Sequence, residues 1–436
     1  MSQLQQGQII RLEIRGLGSS GEGVGNLDGF TVFVDGALPE EIVEARVVEC
    51  KARYAKAELS QIVKPSKDRV QPICPLFGTC GGCQIMHLSY EKQLEIKRQK
   101  VVDALSRIGQ LEDCKVLPCI GSPKPLHYRN KIQLPVQGEI IGLYARRSHD
   151  LVEVKHCFIH ASLGEEVYQA LRPLVVQAKE IQLRHLMLKT AVHTGQVLVI
   201  LITAEKPDAP LLKLAQEMKR AHPAIKGVVH NLHQGKENVI LGKSFTPLAG
   251  KEAIEEMICG LHFKVSSASF FQVNPEQAEQ LYQKALELCD LQGSETVLDA
   301  YSGVGTLSLI FAQKAKRMIG VECVEAAVED AKENAKRNGI KNASFICMPS
   351  EKYIQTAPPF EIALVNPPRK GCDPLFLETL IQKAPEKILY ISCDPATLAR
   401  DLVILRKGGY LLGDVQPFDM FPQTAHVESV VIVRKN

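Results

Sequence analysis

The stretch YISCDPATLARD, Tyr390 to Asp401, ends an apolar run in a cysteine and follows it with Asp394-Pro395 and a helix-forming ATLARD. A thiol at a strand-to-helix turn can be core filler, a metal ligand or a nucleophile. A helix N-terminus lowers a thiol's pKa, yet a cysteine taken alone is more often a buried structural residue, and all three readings stand at this point. A second group, Cys74-x5-Cys80-Gly-Gly-Cys83, places two glycines where the backbone must turn tightly around a metal. Three clustered thiolates want a fourth ligand, and spacing alone leaves zinc and an iron–sulfur cluster both open. His87 and His156 lie near enough in sequence to complete a mixed zinc site.

A third set is spread along the C-terminal part. Asp299-Ala-Tyr-Ser-Gly-Val-Gly305-Thr306 closes one apolar run with a glycine-bearing turn, Glu322 closes the next, Asn366-Pro-Pro-Arg a later one, and Cys393 the one after. In an open α/β sheet the ligand sits outside the carboxyl ends of the strands, and an acidic residue ending the second strand holds a ribose by its hydroxyls. The first turn is not a full GxGxxG and no phosphate-loop lysine follows it. An adenosine-bearing ligand without a pyrophosphate fits, and S-adenosylmethionine is such a ligand.

The elements that must position these groups fall into three parts. Residues 1–63 read as five short strands with glycine turns, QIIRLEIRGL to YAKAELSQIV, which predicts a small closed barrel of the oligonucleotide-binding type. Residues 64–258 carry the cysteine group, a helix over LSYEKQLEIKRQKVVDALSRI, then β-rich pieces with two helical segments, an α+β domain with antiparallel strands. Residues 259–436 alternate apolar runs with amphipathic helices, which predicts a doubly wound, mostly parallel sheet. The last two runs, GYLLGDVQPFDMF and VESVVIVRK, have no helix between them and are expected to form an antiparallel hairpin at one edge.

The bulk chain agrees with such an assembly. At 436 residues it exceeds one ordinary core. Its longest central aliphatic run, Val197 to Ile202, is strand length and too short for a bilayer. MSQLQQGQII lacks a signal peptide's pattern, and thirteen cysteines without one suggest a reducing compartment, so a cytoplasmic location is expected. The net charge of +3 does not argue for nucleic acid. Lys51, Arg53, Lys56, Lys64, Lys67 and Arg69, continued by Lys97, Arg98, Lys100 and Arg107, suit a phosphate-tracking face only if something else points to RNA.

Something else does. FFQVNPEQAEQLY, LDAYSGVGTLSL, GVECVEAAVEDAKENAKRNGI, VNPPRKG, YISCDPATLARD and FPQTAHVESV closely resemble the RNA uracil-5 methyltransferases, and YRNKIQLPV and the cysteine group match as well. The N-terminal barrel looks like the TRAM domain that members acting on ribosomal RNA often carry. The resemblance implies a C-terminal Rossmann-like methyltransferase domain, a [4Fe-4S] cluster on Cys74, Cys80, Cys83 and Cys157 (zinc the runner-up), and 23S ribosomal RNA as substrate. It maps donor binding onto Gln272, Tyr301, Glu322 and Asn366. Neither a membrane nor an obligate protein partner is implied, and RNA would be held by phosphate contacts and by stacking, with Phe30, Phe33 and Tyr54 serving equally as stacking platforms or as barrel core.

The chemistry explains the residue types. Uracil C5 is a poor nucleophile towards a methyl sulfonium until a thiolate adds at C6, after which a base must remove the C5 proton so that the thiol can leave. The resemblance assigns Cys393 as nucleophile and Glu428 as base. Four positions depart from the family's pattern: Ser302 where cysteine is commoner, Pro349 beside the adenine, Asn366 for aspartate, and Asp394 for asparagine. Three other readings stand beside this one: a transfer RNA substrate, an amino-group methyltransferase using the Asn366-Pro-Pro turn, and a non-catalytic RNA-binding protein.

Overall fold

The computed structural model describes residues 4–235 and 240–436. Strands β1 (Ile9–Leu17), β2 (Gly23–Leu27), β3 (Phe30–Asp35), β4 (Ile42–Cys50) and β5 (Tyr54–Lys64) form a closed barrel in the order β1-β2-β3-β5-β4. Alternate residues point inward, so Ile10, Leu12, Ile14, Val32, Val34, Val43 and Val47 fill the interior with Ala45, Ala55 and Ala57. The small side chains let so narrow a barrel close. Arg69 holds the barrel's exit by a two-pronged ion pair to the buried Glu41, Nε to Oε1 at 2.6 Å and Nη2 to Oε2 at 2.8 Å.

Helix α1 (Tyr90–Arg107) follows the cysteine-bearing loop. A mixed sheet comes next, built from β6 (Lys131–Gln137), β7 (Ile140–Tyr144), β8 (Leu151–Glu153), β9 (Leu183–Ala191), β10 (Gln196–Thr203), β11 (Ile225–Leu232) and β12 (Ser244–Gly250). Its spatial order is β12-β11-β10-β9-β6-β7-β8. Helices α2 (Ser162–Gln177) and α3 (Ala209–Ala221) accompany it. The antiparallel pairing expected here holds, except that β10 and β11 run parallel across the α3 crossover. A hairpin, β13 (Ala253–Ile258) with β14 (Leu261–Ser266), leads into the last part.

There α4 (Pro275–Cys289), β15 (Thr296–Asp299), α5 (Thr306–Ala312), β16 (Arg317–Glu322), α6 (Glu325–Arg337), β17 (Ala343–Cys347), α7 (Ser350–Thr356), β18 (Ile362–Val365), α8 (Pro374–Lys383), β19 (Lys387–Ser392) and α9 (Pro395–Lys407) alternate as the sequence predicts. They end in β20 (Tyr410–Leu412), β21 (Gln416–Phe418) and β22 (Glu428–Lys435). The sheet order β17-β16-β15-β18-β19-β22-β20 reverses between β15 and β18, and β21 pairs with β22. The last runs do pair antiparallel, but β22 is no edge strand. It inserts between β19 and β20, because VVIVR has apolar side chains for both covered faces of the sheet.

Two cores cross the boundaries drawn from sequence. In β10 Leu198, Ile200 and Ile202 pack into the core of the C-terminal sheet, while Val197, Val199 and Leu201 pack with α2 and α3. That two-sided burial is why the run is purely aliphatic, each such side chain contributing about 1.5–3 kcal/mol. Helix α1, placed by sequence in the central domain, sends Val101, Ala104 and Leu105 into the same core as Leu398, Leu402 and Leu405 of α9.

Phe345 lies against two glycines of the C-terminal sheet: a Cβ at Gly320 would stand 2.5 Å from its ring, and one at Gly305 3.0 Å. Gly320→Ala therefore overpacks this contact and is expected to destabilise the protein by roughly 1–3 kcal/mol. A melting temperature unchanged from wild type in differential scanning calorimetry would contradict this packing.

Candidate active site

The parallel strands β15, β16, β18 and β19 deliver Asp299, Glu322, Asn366 and Cys393 to one edge of the sheet, next to the β15/β18 reversal. Gly303 and Gly305 take the left-handed conformation, φ +53° and +81°, that the turn after β15 requires. Asp299 is buried beneath that turn, accepting a bond from Ser308 Oγ at 2.6 Å, and burial pushes its carboxyl up to about 6. Glu322 closes β16 as expected. Its Oε2 accepts from Gly303 N at 3.1 Å and its Oε1 from Val324 N at 2.9 Å, so the carboxylate is fixed with lone pairs to spare for a ribose diol.

The other expected donor-binding residues gather around the same turn. The Tyr301 ring packs 5.8 Å from that of Phe376, half-buried. Gln272 stands beside Tyr282, whose hydroxyl has both Asp299 and Glu428 nearby, and its backbone carbonyl accepts from Asn130 Nδ2 at 3.0 Å. Asn366 is half-buried at the end of β18.

Cys393 follows the last residue of β19, and Glu428 is the first of β22. The antiparallel register ends with Ser392 paired to Ser429, so Cys393 and Glu428 adjoin the same last rung, near enough for the carboxyl to act on the thiol. Glu428 is buried, which pushes its carboxyl up to about 8 against the opposing pull of Arg369. Burial and the neighbouring Glu428 likewise push the Cys393 thiol up to about 11. This reverses the lowering expected from the helix N-terminus. The free amides of α9, Ala396 N and Thr397 N, are taken by Asp394 Oδ1 at 2.8 and 3.3 Å, leaving the thiol to feel burial and a carboxyl instead. His426, two residues before Glu428, is held well below an ordinary imidazole, about 4, by burial and by Arg369, Lys100 and Lys97.

The cysteine group gathers as expected. Cys74, Cys80, Cys83 and Cys157 line one pocket with Leu76, Phe77, Met86, Leu143, Val154 and Ile159. Burial and the other three thiols push Cys83 strongly up. Among the described residues no three His, Cys, Asp or Glu side chains close around a single ion. Of the two histidines of the mixed zinc alternative, His156 lines the same pocket while also facing Glu165 at 3.3 Å, and the buried His87 ring packs 4.9 Å from Phe77, which lines the pocket too. On the barrel, Phe33 and Tyr54 meet edge to face at 5.7 Å and line an open cleft with Lys56 and Arg147, while Phe30 packs against the barrel core.

Sequence reading missed the groups behind the site. Gln93, Lys97 and Asp419 are almost fully buried and bond one another's neighbourhood through Gln423 and Phe421. Their signal was present: Gln93, Lys97 and Lys100 form one stripe of α1, polar where a packed helix should be apolar.

A doubly wound sheet with an acidic residue closing its second strand, no phosphate loop, and a thiol beside a buried carboxyl at the strand ends suits a nucleoside-bearing ligand such as a methyl donor. Residues 89–436 match the model of the tRNA (uracil-5-)-methyltransferase family, and residues 3–60 match the TRAM domain. An RNA methyltransferase of Clostridium tetani is 42% identical, covering 99% of this chain and 97% of that protein. One of Halalkalibacterium halodurans is 40% identical over 99% and 98%. The crystal structure of the Pyrococcus abyssi tRNA (uracil-54, C5)-methyltransferase in complex with S-adenosyl-L-homocysteine superposes with a TM-score of 0.77 at 29% identity, covering 97% of this chain and 99% of that one. The chain belongs to the RNA uracil-5 methyltransferase family and carries an N-terminal TRAM domain.

The raised Glu428 carboxyl has a definite pH signature. Unfolded, it ionises near its ordinary ~4.3, whereas folded it keeps its proton up to about 8, so it costs stability as pH rises through that window. Glu428→Gln is expected to melt close to wild type at pH 5 and to be the more stable of the two at pH 8.5, by roughly a few kcal/mol. Equal pH dependence of the two proteins in urea unfolding would mean that the carboxyl is not desolvated.

Proposed function

We propose that this protein methylates C5 of a uridine in RNA, with Cys393 as nucleophile and Glu428 as base. The observation that carries the reading is that a half-buried thiol and a buried carboxyl adjoin the same last rung, Ser392 with Ser429, at the strand ends, near enough to act on one another. An amino-group methylation needs neither group. S-adenosylmethionine supplies the methyl group, with Glu322 placed for the ribose and Gln272, Tyr301 and Asn366 around it.

The Cys393 thiol gives its proton to solvent and its sulfur adds to C6 of uracil, so that electron density moves onto C5 and O4. C5 then takes the methyl group from the sulfonium, whose sulfur keeps the electron pair of the broken S–C bond and leaves as S-adenosylhomocysteine. Glu428, its own proton likewise lost to solvent, removes the proton that C5 still bears; the C5–C6 double bond re-forms and the sulfur departs with its electron pair. A carboxyl whose pKa lies near 8 is a stronger base than an ordinary one when ionised, which suits removal of a carbon-bound proton. Arg369, which opposes both upward shifts, favours the ionised forms of both groups. The target base has to leave its stack to reach a half-buried thiol, so a loop or a flipped nucleotide is the substrate.

For the RNA, 23S ribosomal RNA is our first reading, on the sequence resemblance, and transfer RNA is the second. The second has its own support: the Pyrococcus abyssi enzyme, named for a tRNA uridine, is matched over 97% of this chain. So broad a match takes in the barrel, which therefore does not tell the two substrates apart. We further propose that Cys74, Cys80, Cys83 and Cys157 hold a [4Fe-4S] cluster. The single apolar pocket lined by all four thiols supports it, and a cluster there would tie the 74–83 loop to the turn at Cys157 with no part in the methyl transfer. A cytoplasmic location remains the reading of the sequence alone.

Two experiments test these assignments. With 23S fragments and tRNA transcripts carrying tritium at uracil C5, wild-type protein is expected to release tritium only when S-adenosylmethionine is present, and Cys393→Ala not at all. Full release by Cys393→Ala would remove the covalent mechanism, and the responding RNA names the substrate. Anaerobic reconstitution with iron and sulfide should give ~4 iron atoms per chain, with loss on Cys83→Ser; iron retention by that variant would sink the cluster assignment.

A further inference from the structure

The segment from Asp419 to Val427, which delivers Glu428 to β22, is gripped residue by residue. Lys97 Nζ bonds Asp419 Oδ1 and donates to Phe421 O at 3.1 Å. Gln93 Nε2 donates to Gln423 Oε1 at 3.0 Å, while Gln93 Oε1 accepts from Gln423 N at 3.1 Å. Lys100 Nζ donates to Ala425 O at 2.8 Å and to Ser19 O of the barrel at 3.1 Å. These three donors stand at i, i+4 and i+7 on α1, one face of the helix. From the other side Gln84 N and Ile85 N, immediately after Cys83, donate to Gln423 O at 3.0 and 3.1 Å.

Three features make this more than ordinary packing. Lys97 and Asp419 are 1% and 0% exposed, and a buried ion pair is a poor source of net stability compared with apolar residues of the same volume. Gln423 sits at φ +69°, a conformation that L side chains avoid and that persists only where the surroundings over-determine it. The same helix packs along α9, which begins two residues after Cys393. One element therefore braces both the backbone behind the nucleophile and the backbone behind the base.

We propose that Gln93 and Lys97, acting through Gln423 and Asp419, are positioning residues for proton removal from C5: they fix the loop so that Glu428 meets the methylated adduct on Cys393. The proposal rests on the assignment of Glu428 as the base. It predicts a selective defect. Addition of the thiol and transfer of the methyl group need Cys393, whose strand is paired on both sides, whereas departure of the sulfur needs Glu428 at its rung. A slack loop thus leaves RNA attached to the protein through C6.

The variants are Gln423→Gly, which removes the bond to Gln93 and relieves the left-handed strain, and the apolar double replacement Lys97→Met with Asp419→Leu, which keeps volume and leaves no buried charge unpaired. Full-length protein is mixed with the RNA that responds to wild type, and three quantities are read. These are methyl incorporation in a single turnover, tritium release from C5, and RNA bound to protein after denaturation in detergent. Expected are near wild-type single-turnover methylation, an unchanged KM for S-adenosylmethionine, tritium release slowed by ~10²-fold, and accumulation of the denaturation-resistant complex. Methylation and release falling together, or neither falling, would overturn the proposal, because a purely structural grip has no reason to separate the two steps. Should either variant fail to fold, the other alone decides. Glu428→Gln is the control: if it accumulates the complex and the loop variants do not, only the positioning role is lost. If it too turns over freely, the base assignment falls and takes the positioning role with it.

Discussion

The pairing of β22 with β19 is the constraint on which the rest depends. The register ends at the Ser392–Ser429 pair, so Cys393 and Glu428 both leave it from the same last rung, and a slip of one residue would turn every side chain of β22 to the other face of the sheet. Both faces of β22 are buried, so such a slip would also exchange two differently shaped sets of apolar neighbours. The core that makes the strand hydrophobic throughout is thus the same device that fixes the distance between thiol and carboxyl. Helices α1 and α9 on one side, and β21 along the strand's first residues, hold the pair from behind.

The electrostatics follow from that burial. Water is kept from the carboxyl, so its proton is held far above the usual carboxylate range, and the thiol beside it is shifted the same way. Resting protein therefore presents two protonated groups and little charge to the solvent. Arg369 is the cation in place that draws both groups towards ionisation. A reactive thiolate maintained permanently at this edge would be open to oxidation; a thiol kept protonated by its surroundings is not.

Much of this could be read before any coordinates. Glycine turns and alternating apolar residues were enough for the barrel, and polar residues breaking apolar runs marked the ligand edge, since both signals are local. What could not be read was long-range. The stripe of α1 looked like surface because its buried partners, Asp419 and Gln423, lie more than three hundred residues away. The insertion of β22 was hidden for the same reason: an apolar strand beside a turn suits an edge hairpin or an interior position equally, and only the neighbours decide. The thiol's pKa was misjudged because a helix start counts for little once its amides are occupied by Asp394.

The position of β22 in the chain has a consequence for folding. It follows every other strand of its sheet in sequence, yet lies inside that sheet, so the interior is closed by a segment that comes after all the strands it joins. Until it inserts, β19 has one unpaired side, Cys393 has no carboxyl beside it, and the Asp419–Val427 loop has nothing to deliver. The barrel and the central sheet pair their strands without β22. The thiol and the carboxyl meet only when it inserts, so the two halves of the site are joined in one step.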